Sequence, residues 1–424
     1  MNNLNDISGT LSNRRNIMVE ITEREVEETI NWLSGISAEG PGVTRLLYDK
    51  HWVEAQNGLK EKFEELGMKV EFDAIGNLFA TLEGTEEPET IIASGSHVDT
   101  VVEGGSLDGQ LGIVGPYLAV KKLLETKGKP KKTLRIISMA EEEGSRFPYG
   151  FWGSKNIFGM AKREEVENIK DGDDISFVDA MAEAGFNFLE EEPKFAKMDA
   201  FIEMHIEQGN FLEAEGKSVG VVTAIVGQKR YDVTLKGQAN HAGTTLMGYR
   251  KDAMEGAARM IVNGIDKAKA AGDPQVLTFG RVDPLPNTVN VVPGEVSFSI
   301  DCRHTDQEAL NKFSEELVED MKATAEKMGL EIEIDLWMDE APVAMDEKII
   351  KTIEGVCEER DLDFKVMHSG AGHDSQIFAP HVPTGMIFVP SIDGISHNPA
   401  EATDTSDLVQ GIEALKSSLE KLAY

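Results

Sequence analysis

The sequence predicts an α/β protein in two parts: a mixed, mostly parallel sheet covered by helices, and a smaller α+β insert that interrupts it. Three observations carry this. Short, largely apolar runs such as Ile91-Ile92-Ala93-Ser94 and Leu134 to Met139 alternate with helical stretches, as buried parallel strands do. After Val222 the pattern changes: Arg230 to Gly237 and Glu295 to Cys302 alternate apolar with polar residues, as half-exposed antiparallel strands do. From Met367 to Pro390 the strand-and-loop pattern of the first part returns. The expected division is 18–221 and 337–424 for the first part and 222–336 for the insert. That suits a chain of 424 residues, too long for one simple core.

The elements follow in order. Residues 1–17 are polar, with Arg14 and Arg15 but no apolar stretch behind them, so they read as a frayed extension rather than a secretory signal. Met18 is an alternative start. Met18 to Glu39 reads as a helix whose cap, Thr22, has Glu25 three residues on as its capping-box partner. Leu46 to Leu66 is a second helix, stopped at Gly67. Lys69 to Asp73 and Asn77 to Leu82 are strands, then comes the buried run at Ile91. Helix Leu111 to Thr126 separates it from strand Leu134 to Met139, and Phe201 to Ile206 is a further strand. In the insert, amphipathic helices Asp252 to Ala270 and Gln307 to Met328 accompany the alternating strands. No internal repeat interrupts the pattern.

Composition narrows the partners. At 41% hydrophobic residues the chain buries real cores. A formal net charge of -33 argues against nucleic acid and anionic membrane surfaces, which attract basic patches. No apolar run approaches the roughly 20 residues of a membrane span. Cys302 and Cys357 are the two cysteines, neither in a CxxC pair, and read as buried thiols in a reducing cytoplasm.

In open α/β sheets, ligands bind beyond the carboxyl ends of the strands. His97 ends the run at Ile91, and Asp99 follows two residues on, placed to accept the second imidazole N–H and fix its tautomer. A core histidine with a turn aspartate reads equally well there. Asp108, in Gly104-Gly105-Ser106-Leu107-Asp108-Gly109, precedes a helix and is either its cap or a carboxylate bridging two metal ions. Glu141-Glu142-Glu143 follows Met139, and is either a solvated acidic loop or a divided pair, one acid on a metal and its neighbour on the water. His205 lies in the strand Phe201 to Ile206, and His397 in a loop near the end. Three histidines and two carboxylates after apolar strands suit zinc or manganese. The insert adds His241, Asn290 and Arg303, the last following a strand and suited to a planar carboxylate.

Gly95-Ser96-His97-Val98-Asp99-Thr100, Gly105-Ser106-Leu107-Asp108-Gly109, Glu142-Glu143-Gly144-Ser145-Arg146-Phe147, His205-Ile206-Glu207-Gln208-Gly209 and Ser396-His397-Asn398-Pro399 resemble the motifs of the M20 metallopeptidase clan, in order and over nearly the whole chain. The closer likeness is to its amidase, hydantoinase and carbamoylase branch. The resemblance implies a metallopeptidase-like catalytic domain with an inserted lid and dimerisation domain, two divalent ions per subunit (manganese favoured, zinc or cobalt alternatives), and a homodimer formed through the insert. It implies that Asp108 bridges the ions, that His97 and His205 complete one site, and that Glu143 and His397 complete the other. Glu142 is then the general base. His241 reaches into the partner subunit's site to stabilise the oxyanion, and Gln208, Asn290 and Arg303 hold the substrate, Arg303 on its carboxylate. The implied reaction is hydrolysis of a ureido C–N bond in purine breakdown, with allantoate the expected substrate and N-carbamoyl-L-amino acids the alternative. Leu246 stands where the resemblance leads one to expect proline.

Two other classes were weighed. A dinucleotide-binding oxidoreductase needs a Gly-x-Gly-x-x-Gly turn after its first strand, and none follows Lys69 to Asp73. A non-catalytic binding protein on the same fold would have lost ligands or the base, and all are present.

Overall fold

The computed structural model describes residues 21–188 and 193–424; the expected extension 1–17, and the start of the first helix at Met18, lie outside them. The strands are β1 (Lys69–Phe72), β2 (Leu78–Leu82), β3 (Glu87–His97), β4 (Lys132–Met139), β5 (Ala200–Ile206), β6 (Val219–Ile225), β7 (Gly227–Lys236), β8 (Asn240–His241), β9 (Val276–Thr278), β10 (Val282–Leu285), β11 (Val291–Val292), β12 (Glu295–His304), β13 (Glu331–Glu340), β14 (Val343–Ala344), β15 (Phe364–Ser369) and β16 (Thr384–Val389).

The larger sheet runs β1-β2-β4-β3-β5-β16-β6-β14, with β15 also on β6. Its centre, β4-β3-β5-β16, is parallel, and its flanks are largely antiparallel. The central strands are apolar on both faces because helices cover both: every residue of β5 and β16 is buried. Parallel pairing brings the carboxyl ends of β3, β4, β5 and β16 to one edge, at His97, Met139, Ile206 and Val389.

The second sheet, β10-β12-β7-β13 with β9 on β12, is wholly antiparallel. Alternation is strict in β7, whose odd positions, Gly227 to Leu235, face the core. Helices Ala253–Ala271 and Gln307–Met328 close that core over Val233, Leu235, Phe298 and Ile300. It is separate from the core under the larger sheet. The chain enters this sheet at Gly227 and leaves it at Glu340, then returns through β14 to the first.

Local signals set several boundaries. Helix Glu23–Ser34 is capped by Thr22, with the Glu25 capping box complete. The second helix starts at Lys50 rather than Leu46, because the Asp49 carboxylate accepts from the Trp52 N–H and ends the preceding turn. Helices Trp152–Ile157, Phe177–Glu183, Glu347–Glu359 and Thr405–Ala423 were not anticipated. The last of them packs against helix Leu111–Lys127 through Ile412 and Leu415. Among the described residues no helix is long and apolar enough to cross a membrane.

Candidate metal centre

The shared strand edge gathers most of the expected ligands. His97 ends β3 and His205 is the penultimate residue of β5, both buried. The His97 Nδ1 lies 3.0 Å from the Asp99 carbonyl and 3.1 Å from its Oδ1. The His205 Nδ1 lies 3.0 Å from the carbonyl of Ile206. An acceptor therefore faces each Nδ1, and the Nε2 of each ring is the nitrogen turned to the centre.

Asp108 occupies that centre. Its Oδ1 is 3.2 Å from the His205 Nε2 and 3.5 Å from the His97 Nε2. Its Oδ2 is 3.2 Å from the His397 Nε2, which in turn lies 3.4 Å from the Glu143 Oε1. One carboxylate thus serves two groups, His97–Asp108–His205 and Asp108–Glu143–His397. Within each, the ligand atoms lie within 4.8 Å of one another. A third such group joins His97 to Glu142 and Glu143. Imidazoles and carboxylates without thiolate make a donor set that fits divalent manganese, zinc or cobalt.

Backbone geometry is spent on this approach. Gly109 has φ 65°, and a methyl group on it would sit 2.3 Å from the His97 ring. Gln208 and His397 hold φ values of 57° and 53°, unusual for residues with a side chain. The Gln208 amide donates to the Asp108 Oδ2 at 2.9 Å, so this expected substrate contact lies at the ligand cluster.

The three consecutive acids are not a solvated loop. Glu141 points into the core, where burial and then the charge of Asp99 raise its carboxyl well above the ordinary range. The backbone N–H groups of Glu142 and Glu143 donate to the two oxygens of Asp99 at 3.0 and 3.2 Å. Asp99 therefore orients His97 and the acidic pair together. Burial, opposed by His97 and reinforced by Glu143, raises the Glu142 carboxyl well above its usual value. Burial and Asp108 push Glu143 up to about 7. Burial lowers the imidazoles of His97 and His205, but the bond to Asp108 and the charges of the surrounding carboxylates together raise both. The same bond lifts His397 to about 9.

The insert residues stand apart from the ligands. His241 and Asn290 are exposed on the β8–β11 ladder, where the Ala242 N–H donates to the Asn290 carbonyl at 3.0 Å. Arg303, at the end of β12, reaches the first part of the chain: its Nη1 donates to the Gly370 carbonyl at 2.6 Å. Leu246 is exposed and touches no ligand.

Sequence reasoning passed over two residues at the site. His373 packs edge-on against His205 at 4.5 Å, with its Nε2 3.0 Å from the Ser369 hydroxyl. Glu401, buried, accepts from the backbone N–H groups of Leu107 and Asp108. The signal for Glu401 was its place two residues past Ser396-His397-Asn398-Pro399.

The chain matches the family described as peptidase family M20/M25/M40 over residues 93–421. It is 52% identical over 410 residues to the allantoate amidohydrolase of Escherichia coli K12, covering 96% of this chain and all of that one. It is 35% identical to the N-carbamoyl-L-amino-acid amidohydrolase of Paenarthrobacter aurescens, covering 94% and 97%. The crystal structure of an amidase of the hydantoinase/carbamoylase family from Burkholderia multivorans superposes with a TM-score of 0.91 at 29% identity, covering 96% and 98%. Sequence, fold and the clustering of acids and histidines at one sheet edge agree: this chain belongs to peptidase family M20/M25/M40.

Proposed function

We propose that the protein is a metal-dependent hydrolase of a ureido C–N bond, with allantoate its substrate. The observation that carries the chemistry is the division of Asp108, with one oxygen toward His97 and His205 and the other toward His397 near Glu143. The 52% identity to an allantoate amidohydrolase supports the substrate. In this reading Asp108, with His97 and His205 on one side and Glu143 and His397 on the other, would hold two divalent ions. When bound, the ions supply Lewis acidity, which polarises the ureido carbonyl and lowers the pKa of water towards about 7.

The chain's own residues do the rest. Glu142, drawn beside Glu143 by the two amide bonds to Asp99, takes a proton from the attacking water and passes it to the leaving nitrogen. The C–N bond between the carbonyl and the substrate's central carbon side breaks, leaving ureidoglycine and a carbamate that decays to ammonia and carbon dioxide. Gln208 and Arg303 orient the substrate, Arg303 through its carboxylate. Asn290 joins them, and His241 acts across a dimer interface on the partner's site. The exposure of Leu246, Met247, Tyr249 and Val289 around His241 and Asn290 supports such an interface. Residues 222–336 would then serve as lid and dimerisation domain, and 18–221 with 337–424 as the catalytic domain. Two buried free thiols suit a reducing cytoplasm.

The second reading, an N-carbamoyl-L-amino acid hydrolase, rests on the 35% identity to such an enzyme. One experiment separates the two. The protein is stripped with chelator and reloaded with manganese, zinc or cobalt, and ammonia release from allantoate is compared with hydrolysis of N-carbamoyl-L-amino acids. Metal-restored turnover of allantoate is expected; no turnover with any metal overturns the assignment.

A further inference from the structure

Residues far apart in sequence meet at one buried carboxylate. The Glu401 Oε1 accepts the backbone N–H groups of Leu107 at 2.9 Å and Asp108 at 3.1 Å. Its Oε2 lies 3.0 Å from the hydroxyl of Ser396, the residue before His397. That hydroxyl is also 3.0 Å from the Asp108 Oδ2. Ser396 has one proton for two carboxylates, so it serves one at a time. Gln208 donates to the same Asp108 oxygen, so that oxygen keeps a partner when the hydroxyl turns to Glu401.

The loop opposite is shaped to admit Glu401. A methyl group on Gly105 would lie 2.0 Å from the Glu401 Oε1, so no larger residue fits there without moving the carboxylate. Glu401 is itself fixed by the turn at Asn398, whose carbonyl accepts the Glu401 N–H at 3.0 Å. The Asn398 side chain accepts from the Ala400 N–H at 2.9 Å.

We infer that Glu401 is a positioning residue that holds Asp108 and His397 in register, so that the loop before helix Leu111–Lys127 and the loop after β16 act as one ligand unit. This rests on the reading of Asp108 and His397 as ligands. Glu401 belongs to none of the three groups that could hold an ion among the described residues; it acts through the backbone of Asp108 and through Ser396. Outer-shell partners of this kind are worth about 10- to 100-fold in metal affinity.

The test is Mn2+ binding to the chelator-stripped full chain, followed by electron paramagnetic resonance, for the unaltered protein and for E401A, E401Q and G105A. The unaltered protein is expected to take up two Mn2+ with an exchange-coupled spectrum. E401A should bind the pair about 10- to 100-fold more weakly and show isolated Mn2+ instead. E401Q keeps an oxygen for the two amides and should fall between. G105A removes no polar group, yet should resemble E401A, and it carries the test if E401A does not fold. Unaltered affinity and a coupled spectrum in E401A, or in both E401Q and G105A where E401A is unfolded, would overturn the role of Glu401. Failure of the unaltered protein to bind a Mn2+ pair would overturn the ligand reading on which that role rests.

Discussion

Arg303 gives one whole edge of its guanidinium to Asp301: Nε donates to Oδ1 at 2.7 Å and Nη2 to Oδ2 at 3.0 Å. Asp301 also accepts from Arg230, across the β7–β12 pair, at 2.8 Å. Burial would raise the Asp301 carboxyl, but the two arginines keep it below its ordinary value. Only the end-on edge of Arg303 is left, and there Nη1 donates to the Gly370 carbonyl. A planar carboxylate would meet that edge.

Asp301→Asn should therefore loosen the aim of Arg303 rather than the chemistry. KM for a ureido carboxylate is expected to rise on the order of tenfold, about 1.5 kcal/mol, the worth of one charge-assisted hydrogen bond, with kcat little changed. Steady-state kinetics check this. An unchanged KM would show that Asp301 does not position the clamp, and an unchanged KM in Arg303→Ala would show that there is no clamp.

Metal affinity should rise with pH. Free of metal, Glu143 is held up to about 7, His397 to about 9, and His97 and His205 above their ordinary values, so the cluster is protonated near neutrality. Ligation needs neutral imidazoles and ionised carboxylates, so each binding event releases protons. The sign follows: raised folded values disfavour binding below them, and affinity climbs through pH 7 and levels off above about 9. Mn2+ titrations at several pH values, with proton release followed in weak buffer, check this. A pH-independent Kd would contradict it.

Asp99→Ala should cost more than a surface change. It strands the backbone N–H groups of Glu142 and Glu143 and leaves the His97 Nδ1 with only the carbonyl of residue 99. A loss of about 2–4 kcal/mol in urea unfolding is expected, with metal affinity down about 10- to 100-fold. Unaltered stability would mean that water replaces both amide contacts.

Neither thiol should react in the folded protein. Cys302 and Cys357 are fully buried, and burial pushes them up to about 11 and about 12. A thiol-reactive dye at pH 8 should label neither until denaturant is added. Rapid stoichiometric labelling of the native chain would contradict this.

Much of this was legible in the chain because it depends on neighbours in sequence. The Thr22–Glu25 capping box is written in four residues. His97 and Asp99 follow the largely apolar run at Ile91, and the sheet rule alone marks the end of such a run. What was illegible depends on contacts between distant segments. Three acids in a row at 141–143 read equally as a solvated loop; only the fold shows Glu141 turned inward and its neighbours tied to Asp99. Glu401 meets Asp108 from 293 residues away, and no spacing rule predicts that. The contact of Arg303 with Gly370 depends likewise on how the second sheet meets the first. The helices at 152–157 and 177–183 are too short for their periodicity to declare them.

In the proposed reaction Glu142, half-buried at the ligand cluster, moves the proton in ureido hydrolysis. The measurement that tests it most directly is turnover of allantoate by Glu142→Gln, with bound metal counted in the same sample. Full metal content and a kcat lower by about a hundred- to ten-thousandfold are expected. A variant that keeps its metal and turns over at the original rate would contradict it.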